Sequence, residues 1–166
     1  TSFTIAAGQV LTLDSIIDGD ATNDGANQGE FEVNSAATVT SASLVLQGVG
    51  AAGAGDVDLE VLGTKIATVD ITTSGAAGAS TVDASVISLA VNGTSAMTTL
   101  NLSGDKNLTI TNNIDFKGTT SGTVDASGMT GDLSIQLANG EAVTVTGGAG
   151  KNTIVAGAGN DTITGG

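Results

Sequence analysis

Residues 147–166 read GGAGKNTIV, then AGAGNDTIT, then GG, so two nonapeptides lie head to tail and a further glycine pair begins a third. Each unit places glycines where a tight turn needs a positive φ or a close approach of the backbone. An oxygen-bearing side chain follows, Asn152 or Asp161, and then a short β-prone run with one large apolar residue, Ile154 or Ile163. The stretch therefore predicts short strands joined by glycine turns at a regular interval.

The residue types that are missing exclude several classes of function. The chain has no His, Cys, Arg, Pro, Trp or Tyr, whereas glycine numbers 25. Most acid–base and nucleophilic mechanisms use His, Cys, Tyr, Lys or a carboxylate pair in a shaped pocket, and only four lysines and the acids remain. We therefore expect that this chain is not an enzyme. The absence of cysteine also excludes a disulfide scaffold.

The charge of the chain limits its partners. Its 17 acidic residues against 4 lysines give a net charge of −13, which repels nucleic acid and anionic membranes and attracts divalent cations. No apolar run reaches the length of about 18 residues that a membrane-spanning helix needs. We expect calcium as a partner, no nucleic acid and no membrane insertion.

Short β-prone segments recur along the rest of the chain, separated by Gly, Asn, Asp or Ser. Antiparallel sandwiches give a similar pattern, so the periodicity alone does not choose between a sandwich and a solenoid. The regular terminal repeat favours an all-β chain folded as a parallel β-solenoid or β-roll, with a sandwich-like arrangement as the alternative for the N-terminal part. We divide the chain into a β-rich segment with an acidic loop (1–55), irregular strand repeats (56–146) and the start of a regular β-roll (147–166).

An acid-rich and glycine-rich segment at residues 14–32 is a second candidate site. Residues 20–25, DATNDG, reproduce the first half of a calcium loop in which alternate oxygens converge on one ion. The twelfth position is Phe31 in place of the usual Glu, and no amphipathic helices flank the loop, so an EF-hand is excluded. A looser calcium loop and a solvated acidic turn remain open as alternatives. The candidate ligands are Asp18, Asp20, Asp24 and Glu30.

The terminal nonapeptides resemble the Gly-Asp-rich calcium repeat of RTX proteins, whose pattern G-G-x-G-x-D-x-U-x builds a parallel β-roll. The resemblance implies Ca²⁺ held between turns two repeats apart on one edge, so that Asn152 and Asp161 face opposite edges as half-sites of a longer array. Two departures weaken the sites: Asn152 is neutral, and Ala156 replaces a glycine. A glycine-turn coil without an ion is the alternative. The candidate ligands in this segment are Gly148, Gly150, Asn152, Gly157, Gly159 and Asp161.

Residues 98–111, TTLNLSGDKNLTIT, and 122–135, GTVDASGMTGDLSI, resemble the strand repeats of bacterial surface-layer proteins that carry RTX modules. This resemblance implies a fragment of a secreted, extracellular protein, exported by type I secretion, that folds with calcium and self-assembles into a two-dimensional lattice on the cell surface. The alternative is an extender or ligand-binding segment of an RTX adhesin or biofilm protein. The β-roll of a secreted protease or lipase comes third. Ice binding comes last, because the T-x-T pairs do not fall at one regular coil spacing.

Overall fold

A computed structural model of the chain describes residues 2–14, 31–35, 38–49, 57–62, 65–75, 84–89, 97–114, 116, 121–137 and 140–166. These residues form fourteen β-strands in two sheets of seven. The first sheet holds, in spatial order, β1 (Ser2–Ile5), β3 (Phe31–Ser35), β5 (Val57–Leu62), β7 (Ala84–Leu89), β9 (Asn107–Ile114), β11 (Leu133–Leu137) and β13 (Asn152–Val155). The second holds β2 (Val10–Asp14), β4 (Ser41–Gln47), β6 (Thr68–Ser74), β8 (Thr99–Gly104), β10 (Gly122–Met129), β12 (Val143–Thr146) and β14 (Thr162–Thr164).

The chain alternates between the two sheets, so each odd strand and the even strand after it make one coil of a solenoid. Every strand pair in both sheets is parallel. The all-β parallel solenoid predicted from the terminal repeat is confirmed. The N-terminal strands β1 to β4 also pair in parallel within these sheets, so the sandwich-like alternative for that segment is wrong. The two sheets run through all three predicted segments. The division of the chain at residues 55 and 146 stays a prediction.

The core lies between the two sheets and is made of aliphatic side chains. In β6 every second side chain is buried, as the period of two in a strand requires. Leu100 and Leu102 of β8 face the core from one sheet, and Leu108 and Ile110 of β9 face it from the other. Burying each such side chain contributes about 1.5–3 kcal/mol. A thin, continuous core of aliphatic side chains can therefore stabilise the fold although the chain contains only three Phe.

A row of threonines crosses the outer face of the second sheet. Thr68, Thr99, Thr123, Thr144 and Thr162 are register partners on successive strands β6 to β14. Their positions in the sequence differ by 31, 24, 21 and 18, yet the strands that carry them lie about 4.8 Å apart. The coils shorten towards the C-terminus to the length of two nonapeptides. A regular row of threonines therefore exists in the structure although its positions are unevenly spaced in the sequence.

A bulge interrupts this regularity in β10. Asp125 pairs with Asn101 and Gly128 pairs with Ser103, so β10 contains one residue more than β8 between these pairs. The Asp125 Oδ1 atom accepts a hydrogen bond from the Ser127 backbone N–H at 3.0 Å. Hydrogen bonds from the Ser127 side chain and backbone lower the pKa of Asp125 below its usual 3.8. This carboxylate is thus stabilised in its charged form by its own strand.

Candidate calcium site

The turns of successive coils stack on two opposite edges of the solenoid. We call the edge formed by turns 105–106, 130–132 and 147–151 the first edge, and the edge formed by residues 140–142 and 156–161 the second edge. β13 belongs to the first sheet and β14 to the second, so the turns that precede them lie on different edges. The predicted placement of the two nonapeptide turns on opposite edges is therefore confirmed.

Glycine allows these turns to stack in direct backbone contact. A Cβ atom added to Gly150 would collide with the carbonyl of Gly131 in the turn above it. On the second edge, a Cβ on Gly159 would collide with the carbonyl oxygen of Glu141. Because these neighbours are backbone atoms, the clash cannot be relieved by a change of rotamer. The glycines of the repeat thus let one turn lie directly against a main-chain carbonyl of the next, and such oxygens are ligands that Ca²⁺ accepts.

Asn152 closes its own turn. Its Oδ1 atom accepts a hydrogen bond from the Gly148 N–H at 3.0 Å. Its Nδ2 atom donates to the carbonyl oxygens of Gly148 at 2.8 Å and Gly150 at 3.0 Å. An amide can do both because it carries an acceptor and two donors. The structure therefore places the predicted ligands Gly148, Gly150 and Asn152 together, with hydrogen bonds joining them directly.

Asp161 has a different environment on the second edge. Its Oδ1 atom accepts a hydrogen bond from the Val143 N–H of the preceding coil at 2.9 Å. Its Oδ2 atom is buried and has no hydrogen-bond partner within the described part of the chain. An unsatisfied buried polar group costs about 1–3 kcal/mol, and more when it is charged. A cation bound to this oxygen would remove that cost, so the residue fits a calcium ligand.

Few other predicted ligands lie near Asp161 in the described part of the chain. Gly157 lies half-buried in the turn of Asp161, as does Gly159. Among the described residues, no three Asp or Glu side chains come together in a metal-binding group. Calcium prefers six to eight oxygens, so an ion at Asp161 would depend chiefly on backbone carbonyls and water. Asp18, Asp20, Asp24 and Glu30 lie outside the described residues, and their site stays a prediction.

A ladder of side-chain caps on the first edge was not predicted from the sequence. Asn107 Oδ1 accepts a hydrogen bond from the Asp132 N–H at 2.8 Å, and Asp132 Oδ1 accepts one from the Lys151 N–H at 2.9 Å. These residues occupy equivalent positions in three successive coils. The signal for it was present, since Asn107 and Asp132 each stand between a turn and the first Leu of a strand. The ladder holds neighbouring turns together without an ion.

A buried acid on the second edge was also missed. Glu141 is only 7% exposed, and its Oε2 atom accepts a hydrogen bond from the Phe116 N–H at 3.5 Å. Phe116 lies in the connection between β9 and β10, so Glu141 reaches back to the preceding coil as Asp161 does. Nothing in the local sequence distinguishes Glu141 from a solvated loop acid. Its hydrogen bond to the neighbouring coil becomes evident only from the stacking of the coils.

Comparison with known proteins supports the calcium assignment of the C-terminus. Residues 144–166 match the family model described as RTX calcium-binding nonapeptide repeat (4 copies). Neither a curated protein nor a solved structure matches the chain significantly. The chain thus contains RTX repeats, which bind Ca²⁺ and typically occur in secreted extracellular proteins. The described residues include no helix long and apolar enough to cross a membrane.

Proposed function

We propose that this chain is a calcium-dependent structural module of a secreted bacterial surface-layer protein that self-assembles into a two-dimensional lattice. The observation that carries the proposal is a continuous parallel solenoid whose last coil holds a carboxylate oxygen, Asp161 Oδ2, buried without a partner among the described residues. A rigid module of this kind would supply a fixed shape and contact surfaces. It would fold completely only when the ion is bound.

Calcium acts in this proposal by linking folding to ion binding. The chain carries a net charge of −13 and is rich in glycine, and both features oppose folding when no cation is present. An ion at Asp161 would neutralise charge and satisfy the buried oxygen, so that binding free energy becomes folding free energy. Extracellular modules bind calcium at about 10⁻⁴–10⁻³ M, a range that favours folding outside the cell. Asp18, Asp20, Asp24 and Glu30 would form a second calcium loop.

The outer face of the second sheet is the surface that we assign to lattice contacts. Thr123, Thr144 and Thr162 are exposed there in one row, and short polar side chains flank them. Short hydroxyl side chains lose little conformational entropy when they are covered. Parallel in-register strands make such a face regular, which suits repeated symmetric packing. Calcium between acidic neighbours would add further contacts.

The test is assembly of the full-length protein in calcium and after chelation. We expect ordered two-dimensional arrays by electron microscopy in millimolar calcium, dispersal when a chelator is added, and recovery when calcium returns. A Thr123→Lys, Thr144→Lys double variant should fold but assemble poorly, because two long charged side chains would stand on a face of short hydroxyls and keep a neighbour from packing flat against it. A full-length protein that remains monomeric in calcium would contradict the lattice proposal.

A segment of an RTX adhesin or biofilm protein is the alternative, and it predicts attachment to cells or glycans without a lattice. One observation favours ice binding as a further candidate function. The threonines of the row lie in register on successive strands, so their spacing in space is regular. Measuring ice-growth inhibition by the wild type and by the Thr123→Lys, Thr144→Lys variant separates this function from assembly. Equal and negligible inhibition by both proteins would exclude it.

A further inference from the structure

We infer that a groove on the outside of the first sheet binds one unit of a neutral saccharide. The groove has a volume of about 190 Å³ and crosses the starts of β9, β11 and β13. It therefore spans three adjacent coils, a distance of about 10 Å along the solenoid axis. It lies apart from Asp161, which is on the second edge, and from the threonine row, which is on the second sheet.

The groove is lined by two parallel rows of polar side chains. Asn107, Asp132 and Lys151 form the row at the first edge, and Thr109, Ser134 and Thr153 form a row of hydroxyls two residues further along each strand. Leu108 and Leu133 lie between the rows with their side chains in the core. The backbone positions of the polar groups are thus fixed by buried neighbours on the same strands.

Several polar atoms in the groove make no hydrogen bond or ion pair with the described residues of the protein. The hydrogen bonds of the ladder occupy Asn107 Oδ1 and Asp132 Oδ1 only. Within the described part of the chain, the Asn107 Nδ2 and Asp132 Oδ2 atoms and the three hydroxyls have no hydrogen-bond partner, and Lys151 Nζ has no ion-pair partner. The ladder therefore orients these groups and leaves their second atoms available.

The mixture of groups selects the chemical class of the ligand. A phosphate group would meet one ammonium beside the Asp132 carboxylate, in a chain of net charge −13. A metal ion would find a single carboxylate beside that same ammonium, and an apolar ligand would leave the polar atoms unpaired. A sugar hydroxyl both donates and accepts, as do the groove's own hydroxyls, so a neutral sugar ring, which holds several hydroxyls in fixed positions, matches the two rows of the lining.

The size of the groove limits how much ligand it holds. Pockets for drug-sized molecules have volumes of roughly 300–1,000 Å³, so a groove of about 190 Å³ holds one sugar ring. An open, polar site of this size without an aromatic side chain binds weakly, and we expect a dissociation constant of about 1 mM or higher. Weak single-unit binding becomes useful when many copies are presented together.

The experiment is a titration of the ¹⁵N-labelled chain in calcium with a panel of neutral monosaccharides, followed by NMR. We expect saturable shifts of amides 132–134 and 151–153 with at least one sugar, and none with glycerol. The variant Asp132→Asn keeps an oxygen for the Lys151 N–H but loses the free acceptor, so binding should weaken about tenfold or more. The matched control Asp125→Asn, on the other sheet, should bind as the wild type does.

Three outcomes would overturn the inference: no saturable shift with any sugar at the highest soluble concentration, binding unchanged in Asp132→Asn, or shifts confined to other surfaces. Methyl glycosides distinguish the source of the sugar. A groove that binds the terminal unit of a surface glycan also binds methyl glycosides, whereas a groove that needs the free anomeric hydroxyl of a reducing sugar does not. The result does not depend on lattice assembly, so each proposal can fail alone.

Discussion

The turns that precede β13 and β14 are built on similar glycine patterns and differ in the side chain that closes them. In residues 147–152, Asn152 accepts one hydrogen bond and donates two, so its amide satisfies the turn directly. In residues 156–161, Asp161 offers acceptors alone, and one of its oxygens is buried without a partner among the described residues. We infer from this difference that one side-chain group, the Nδ2 amide of Asn152 or the Oδ2 oxygen of Asp161, decides whether such a turn needs a cation.

The largest effect should follow from destroying the stacking that both turns share. Gly159→Val places a side chain against the Glu141 carbonyl and should lower the free energy of unfolding by about 3 kcal/mol in calcium. Chemical denaturation followed by circular dichroism measures the loss. Gly165→Ala is the matched control, since a Cβ there meets nothing within 4 Å. Equal stability of the two variants would mean that the coils do not stack as described.

Removing the amide that closes the first turn should have the next largest effect. Asn152→Ala deletes three hydrogen bonds and leaves Gly148 and Gly150 groups unpaired, which should cost about 2 kcal/mol with or without calcium. Asn152→Asp retains the acceptor but sets a carboxylate beside two carbonyl oxygens. It should be destabilised in chelator and recover in calcium. Equal denaturation midpoints for Asn152→Asp under both conditions would show that this turn cannot accept an ion.

The reverse exchange at the second turn should have a smaller and opposite effect. Asp161→Asn keeps an oxygen for the Val143 N–H and removes the buried charge, so stability in chelator should rise by about 1 kcal/mol. The increment that calcium gives to the wild type should shrink at the same time. Thermal unfolding of the wild type and the variant in calcium and in chelator measures both quantities. An unchanged calcium increment would place the ion elsewhere.

The smallest effect concerns Asp125, a carboxylate that its own strand satisfies. Its pKa is lowered by hydrogen bonds from Ser127, so the stability it contributes is present above the unfolded pKa and is lost as pH falls through the lower folded pKa. Carboxyl NMR titration should give a pKa below 3.8 that does not change with calcium. Ser127→Ala should raise it. A calcium-dependent pKa would contradict the contrast with Asp161.

The sequence predicted the fold because the terminal glycines and β-prone runs repeat at a fixed interval, which favours a stacked coil. It did not reveal the threonine row, because loops of different length separate positions that the register aligns. The motif made both Asn152 and Asp161 candidate half-sites, since both carry an oxygen at the sixth position, and it marked Asn152 as the weaker ligand only because that side chain is neutral. The donors of Asn152 and the burial of Asp161 Oδ2 depend on neighbouring backbone, which a motif does not specify.

We expect calcium to bind at Asp161 and to complete the coil formed by β13 and β14. The most direct measurement is a calcium titration followed by the carboxyl ¹³C shift of Asp161 together with amide hydrogen exchange. We predict a saturable Asp161 shift, slower exchange of the Val143 and β14 amides, and no change at the Gly148 N–H that Asn152 holds. An Asp161 signal and β14 exchange rates that stay the same in calcium and in chelator would contradict the claim.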